Sequence, residues 1–310
     1  MKKDIISTKL NITKQQIAIK LKHITYNQID FKKYDLCLNN AINKRIYALS
    51  WYMDIVTQKD WSLLVLGDYK AVLPLPYKRI KRQFFKHMVC QPIFSQQLGV
   101  FSINKLSLEE LQIFQNEFLK MNVFSYHFNA FYFTELSGIK KCIQKTNYQL
   151  DLQASYTTIK SHYSKNLIRN IKKATKVNLI IHHNGSVTDF ISLKKKYTKH
   201  RIKNKDYQSM KSLTTAIINH NLGSFYTIKK EEETLAMAFF IETENRLVHL
   251  ISISSPKGKA MAAMPFLFDS IIEKNADKKC IFDFEGSEIP GVAQFFKSFG
   301  AVDVPYLSYH

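Results

Sequence analysis

Glycine and proline are scarce in this chain, at 9 and 7 of 310 residues, and cysteine is scarcer still at four. So little glycine and proline excludes collagen-like, polyproline and flexible-linker chains. Cys37, Cys90, Cys142 and Cys280 lie far apart with no C-x-x-C pair. That argues against a disulfide framework and a zinc site, and for a reduced compartment. No apolar run approaches the roughly 18 residues a membrane helix needs. The opening Met1-Lys-Lys-Asp-Ile-Ile-Ser lacks the apolar stretch of a signal peptide, so a cytoplasmic location is expected. Also missing are Gly-x-Ser-x-Gly, a Walker A loop and a Rossmann glycine fingerprint, and with them go serine-hydrolase, P-loop and dinucleotide readings. His182 and His183 are adjacent in a strand and point to opposite faces, so no metal site is expected there.

What is present builds cores. Hydrophobic residues make up 45% and aromatics 13%, and the length suits two domains of about 150 residues. The polar, basic stretch 137–151 is the expected boundary, giving domains 1–150 and 151–310. In the first half, periodicity predicts an edge strand near 17–24 and a helix over 36–53. A hairpin follows at Trp61–Leu66 and Ala71–Leu75, then a helix opened by the capping box Ser107-Leu-Glu-Glu110, then a strand over 123–133. In the second half it predicts a helix over 157–176, a strand at 179–183, helices near 188–199 and 209–219, and three strands between 224 and 252. A loop at 254–259, a helix to about 274, a strand at 280–284, a helix at 291–299 and a last strand at 302–308 complete it. The class is α/β with mixed sheets (α+β in character).

Acidic residues are the minority charge, 25 against 45 basic, for a net +20. Between Thr158 and Lys211 fourteen Lys and Arg face only Asp189 and Asp206. A second basic cluster is Lys78-Arg-Ile-Lys-Arg82 with Lys86. Such blocks attract nucleic acid, phosphorylated ligands or anionic membrane. Lysine-rich composition also arises from genome base bias, and solvated lysines cost a fold little. Only six residues are arginine (45, 79, 82, 169, 201 and 246), leaving 39 lysines.

The stretch Ile281-Phe-Asp-Phe-Glu-Gly-Ser-Glu-Ile-Pro-Gly-Val-Ala-Gln-Phe-Phe-Lys-Ser-Phe-Gly300 carries the most information. It reads as a short buried strand that delivers Asp283, Glu285 and Glu288 to a loop, followed by a helix closed by Gly300. Carboxylates at the carboxyl end of a strand sit where open sheets place their ligand crevice. The competing reading is an ordinary strand–turn–helix with solvated acids.

The Asp-Phe-Glu-Gly-Ser run, the Gly-Val-x-x-Phe-Phe-Lys helix and the closing Phe-Gly resemble the C-terminal signature of the FemABX-like branch of the GNAT acyltransferase superfamily. Lys165-Asn-Leu-Ile-Arg-Asn-Ile-Lys-Lys-Ala174 resembles the basic helix that opens that branch's second domain. Gln91-Pro-Ile-Phe-Ser-Gln-Gln-Leu-Gly-Val-Phe101 resembles a first-domain segment of uncharacterised bacterial members. The likeness runs from about Trp51 to Gly300. It implies two tandem GNAT-like domains and transfer of an acyl or aminoacyl group, from acyl-CoA or aminoacyl-tRNA, to an amine. The superfamily's pyrophosphate loop, Arg/Gln-x-x-Gly-x-Gly/Ala, falls on Ser254-Ser-Pro-Lys-Gly-Lys-Ala260. Gly258 and Ala260 match, and Ser255 stands where Arg or Gln is usual. Ser254, Lys257, Gly258, Lys259 and Ala260 are therefore the candidate donor-binding residues, with acyl-CoA a co-substrate and no tightly bound cofactor expected. Phe296-Lys297 match the Phe-Lys that lies at the acceptor site in the branch's peptidyltransferases.

An attacking amine must lose a proton, and the candidate bases are Glu285 first, Asp283 second and Glu288 a remote third. Lys297 is the candidate cation, Phe296, Arg169 and Lys172 the candidate substrate contacts. Backbone N–H groups near Ser252–Ser254 are candidate oxyanion donors. The rival reading is a non-catalytic GNAT-fold protein that binds nucleic acid or an anionic surface through its basic patches.

Overall fold

Alternating and helical periodicities resolve, in a computed structural model of the chain, into two mixed sheets that exchange a strand. The structure describes residues 20–80, 86–183, 185–198 and 202–310. The first sheet draws on β1 (Leu21–Thr25), β2 (Trp61–Leu66), β3 (Ala71–Ile80), β4 (Lys86–Cys90), β5 (Phe101–Ser102), β6 (Val123–Phe128) and β7 (Cys142–Lys145). Its helices are α1 (Phe31–Asn39), α2 (Ser50–Thr57), α3 (Leu108–Leu119) and α4 (Phe133–Leu136). The hairpin β2–β3 turns at Gly67, whose φ of +61° suits a residue without Cβ. Ser107 accepts from the Glu110 N–H while Glu110 accepts from the Ser107 N–H, which starts α3. Trp61 anchors this core, edge-on to Tyr26 and Phe31 and against Tyr34. Burying each such ring contributes roughly 1.5–3 kcal/mol.

The helix expected over 36–53 is two helices. Asp30 caps α1 from the Lys33 N–H, so it starts at Phe31 and ends at Asn39. A 3-10 turn at Ile46–Ala48, held by the Tyr34 hydroxyl donating to the Ala48 carbonyl at 2.5 Å, then separates it from α2. The break places Arg45 and Tyr47 against the other sheet.

The second half contributes β8 (Tyr148–Asp151), α5 (Tyr156–Ser161), α6 (Lys165–Lys176), β9 (Ile180–His183), α7 (Val187–Tyr197), α8 (Asn204–Asn219) and β10 (Gly223–Lys230). It continues with β11 (Glu233–Thr243), β12 (Arg246–Ser254), α9 (Pro256–Ala260), α10 (Ala263–Asn275), β13 (Ile281–Glu285), α11 (Pro290–Lys297) and β14 (Val302–Asp303). The helix expected over 157–176 is split into α5 and α6, because the Ser164 side chain takes the Leu167 N–H and begins a new helix. The expected loop at 254–259 is the short helix α9. The expected last strand is two: β14 joins the second sheet, and β15 (Tyr306–Tyr309) inserts between β6 and β7 of the first.

The sheet orders are β1-β2-β3-β4-β6-β15-β7, with β5 on β3, and β14-β8-β13-β12-β11-β10-β9. Each contains one parallel pair joined through a helix, β4–β6 through α3 and β12–β13 through α10. Only Thr146 and Asn147 separate β7 in one sheet from β8 in the other. Asn147 is buried there, taking the Gln96 side-chain N–H at 3.1 Å and, through its backbone, the Val304 N–H at 2.7 Å. Of the basic residues named from sequence, Lys81, Arg82, Lys199 and Arg201 lie outside the described residues.

Candidate functional site

The carboxyl end of β13 gathers the charges that the sequence pointed to. Asp283 is 2% exposed, and Arg246 on the neighbouring strand donates to its Oδ2 at 2.6 Å. Its Oδ1 accepts the Glu285 N–H at 3.0 Å, and Gln149 on β8 reaches Oδ2 at 3.4 Å. That local bond helps hold Glu285 at φ +59°, a left-handed conformation a non-glycine residue rarely adopts. Part of the Glu285 chain meets solvent, but the Tyr47 phenol donates to its Oε1. Burial, with Asp283 adding to it and the Tyr47 hydrogen bond opposing, pushes the Glu285 carboxyl up to about 8. Burial also holds the Tyr47 phenol far above its usual range, so it stays a donor. Gly286 passes so close to β8 that a Cβ would stand 2.0 Å from the Thr146 carbonyl oxygen, and only glycine fits.

Ladder pairing between β12 and β13 ends at Val248–Asp283, while β12 continues along β11 to Ser254. The strands splay in between. His249 sits in the splay against Phe268 and Phe296, with ring centroids at 4.8 and 6.0 Å, and its Nε2 has no hydrogen-bond partner. Burial pushes this imidazole down to about 4, against the influence of the adjacent Phe284 backbone, so it is neutral near pH 7. From α7, Lys194 donates to the Ser252 carbonyl at 3.3 Å, and burial lowers its pKa. His249 is thus a core ring whose Nε2 is unsatisfied.

Lys297 is exposed on α11, with its ammonium 5.5 Å from the centre of the Tyr148 ring. Tyr148 is the cross-strand partner of Glu285, so Lys297 lies over the residue that backs the carboxylate. Phe296 is buried at 3% exposure, packed on Phe284 and His249, and faces the core instead of a cleft. Arg169 and Lys172 are exposed on α6, whose apolar face packs on α10. Glu288 pairs with Lys145 at 3.2 Å, away from Glu285's partners.

At the donor loop the backbone is already engaged. Ser255 caps α9, its Oγ accepting the Gly258 N–H at 3.0 Å while its own N–H donates to Leu235 at 2.8 Å. Gly258 is buried, and a Cβ there would meet the Leu235 carbonyl oxygen at 2.2 Å. Lys257 turns outward to Glu233. The following helix, α10, opens Ala263-Met264-Pro265, so its third position has no N–H. A pyrophosphate therefore finds no open amide at Gly258, and this loop does not match the expected grip.

Tyr47, Arg45, Arg246 and Lys194 were not singled out from sequence. A signal existed for two of them. Arginine is rare here beside 39 lysines, and Arg supplies a planar fork that Lys cannot. Arg45 and Arg246 are two of the six, and Arg246 pairs with Asp283.

No protein-family model matches the chain, and no curated protein matches it by sequence. Solved structures do resemble it. FemX aligns over 94% of this chain and 97% of its own at 11% identity, with a TM-score of 0.64. L-PGS from Bacillus licheniformis aligns over 90% and 91% at 11% identity, TM-score 0.51. A GNAT-family acetyltransferase from Colwellia psychrerythraea aligns over 93% and 98% at 10% identity, TM-score 0.51. At such identities the likeness speaks for the fold. The chain shares its fold of two mixed sheets with FemX, over nearly the full length of both chains, and with that GNAT-family acetyltransferase. Among the described residues no helix is long and apolar enough to cross a membrane, and no cluster of three or more His, Cys, Asp or Glu is placed to hold a metal.

Proposed function

We propose that the protein transfers an acyl or aminoacyl group to an amine, with Glu285 as the general base. The observation that carries this is the placement of Glu285, held at φ +59° by Asp283 and hydrogen-bonded by Tyr47 at the mouth of the splayed parallel pair, where burial raises its carboxyl pKa. A base is most useful when its pKa lies near the working pH. In the step, the amine nitrogen forms a bond to the donor's carbonyl carbon. The C–S bond of a thioester or C–O bond of a tRNA ester breaks, the amine proton passes to Glu285, and the leaving thiolate or alkoxide is then protonated. Asp283, fixed by Arg246, orients the Glu285 backbone, and Lys297 beside Tyr148 offsets charge on the acceptor or acyl oxygen.

The engaged Gly258 amide favours a tRNA ester over a coenzyme A thioester as donor, and the exposed Lys165, Arg169, Lys172, Lys173 and Lys176 supply phosphate contacts. The same loop supports a second reading, a basic GNAT-fold protein that binds nucleic acid without catalysis. Thermal-shift measurements with acetyl-CoA, uncharged tRNA and aminoacyl-tRNA, followed by transfer assays to simple amines, separate the two. Transfer that vanishes in Glu285→Gln supports the enzyme. Equal binding of charged and uncharged tRNA, with no transfer to any amine, leaves the binding protein.

A further inference from the structure

Two β-bulges face each other where the parallel pair of the second sheet ends. After Val248–Asp283, β12 slips register against β11 so that Leu250 is extra, and β13 slips against β8 so that Phe284 is extra. Bulges bend a strand and re-aim the side chains beside them. Here the strands part, and a cation from α7 reaches the gap. Lys194 donates to the Ser252 carbonyl at 3.3 Å, with its ammonium 5.7 Å from the centre of the Phe190 ring. Its charge is felt in the splay, where it helps to keep His249 neutral.

Lys194 is half-buried, and burial is what lowers its pKa. Among the described residues it has no carboxylate partner, and the bond to Ser252 uses one of its three N–H donors. The elements packed against α7 bring Arg246 and His249 on β12 and Lys205, Asp206, Tyr207 and Lys211 on α8, and none of these pairs with it. An ammonium partly withdrawn from water thus keeps two donors for whatever enters the gap. Phe190 and Leu193 of α7 pack into the same core as Tyr47, whereas α11, which carries Lys297, packs into the other core. Lys194 is therefore a cation on the Tyr47 side of the sheet. From the last pair, β12 advances four residues to Ser252 and β13 two to Glu285. At about 3.3 Å per residue and about 4.8 Å between strands, Ser252 and the Glu285 backbone lie on the order of 8–10 Å apart. A tetrahedral carbon with an amine on one side and an oxyanion on the other spans such a gap.

We infer that Lys194 is a catalytic residue that binds the donor's acyl oxygen as it becomes an oxyanion, leaving Lys297 to the acceptor. This role rests on the transferase reading. As the amine lone pair forms the C–N bond, the carbonyl π pair moves onto oxygen. Lys194 transfers a hydrogen bond from Ser252 to that oxygen without giving up its proton, and Glu285 takes the amine proton. The electron pair then returns, the ester C–O bond breaks, and the leaving alkoxide is protonated. A donor aimed at charge that develops only in the transition state raises turnover more than it raises binding.

Steady-state transfer from aminoacyl-tRNA to a simple amine tests this on the full chain, with the melting temperature of each variant measured alongside. Lys194→Met keeps a long apolar stem and should lower kcat about 10²- to 10³-fold, with the KM for the amine within about twofold of native. Lys194→Arg, which keeps the charge, should recover about a tenth of the native kcat or more. The ammonium acts only while protonated, so the native rate falls at alkaline pH. A guanidinium holds its charge, and Lys194→Arg should move that falling limb upward. The exposed Lys195→Met on the same helix is the control and should keep the native kcat. A Lys194→Met kcat within about threefold of native, or a loss confined to KM, overturns the assignment. So does an unmoved falling limb in Lys194→Arg, which keeps the test open should Lys194→Met misfold. Native-like transfer in Lys194→Met beside none in Glu285→Gln removes Lys194 alone. No transfer by the native chain removes the transferase reading and this role together.

Discussion

The two sheets each contain a parallel pair, and the ends of those pairs are finished differently. Beyond Cys90 the chain leaves β4 but stays on β6. The Gln91 N–H donates to Ser125 at 2.8 Å, the Gln91 side chain accepts the His127 N–H at 3.0 Å, and Leu98 and Asn129 close the run at 2.8 and 2.7 Å. The gap in the first sheet is thus filled by the chain's own backbone and one glutamine. Beyond Val248 and Asp283, no such segment fills the second gap among the described residues. It holds a neutral His249, Lys194 on the Ser252 carbonyl, and the Glu285 carboxyl under Tyr47. The first sheet spends its open strand ends on folding, whereas the second keeps them beside ionisable groups.

The largest expected effect is at Glu285, the proposed base. Glu285→Gln should lower transfer about 10²- to 10⁴-fold, as loss of a general base does, whereas Gln91→Leu in the closed gap should leave the rate of folded protein unchanged; steady-state kinetics on both variants checks the contrast. Next is backbone geometry. Gly286→Ala drives a methyl group into the Thr146 carbonyl, and should cost on the order of 1–3 kcal/mol in urea melts.

A pH-dependent stability difference follows from the raised carboxyl. Its pKa is about 8 folded against an ordinary 4.5, so the folded state binds the proton more tightly. The stabilisation is full below about 4.5 and is lost as pH rises through about 8. Glu285→Gln should therefore gain in melting temperature over the native chain between pH 5 and 9, the gap opening with pH. Tyr47→Phe removes the one bond that lowers this pKa and should move the rising limb of the pH–rate profile upward. A shift of one unit corresponds to about tenfold in rate at pH 7. The smallest effect is at the donor loop, where Lys257→Ala breaks only an exposed pair with Glu233. That change should leave the midpoint of denaturant melts unmoved.

Local patterns read correctly where local bonds decide. The β2–β3 hairpin, the Ser107 capping box and the strand that presents Asp283 and Glu285 all follow from neighbours in sequence. The sequence predicts continuous helices over 36–53 and 157–176 because the apolar periodicity runs on. A tyrosine bond to Ala48 and a serine cap at Ser164 break them, and neither disturbs the pattern. The place of β15 depends on strands far back in the chain. Tyr47 and Glu285 are 238 positions apart, so no sequence window shows that the carboxylate will be buried, nor that its pKa will move. Gly258 matched a motif, yet the Ser255 beside it, the position that departed from the motif, takes its amide.

Titration of Glu285 tests its proposed role as the base most directly. Carbon-13 NMR of glutamate-labelled protein, with the Glu285 carboxyl assigned by its loss in Glu285→Gln, follows that group alone. An inflection near 8 that moves upward in Tyr47→Phe is the predicted result. An inflection at the ordinary 4.5, unmoved by Tyr47→Phe, contradicts it.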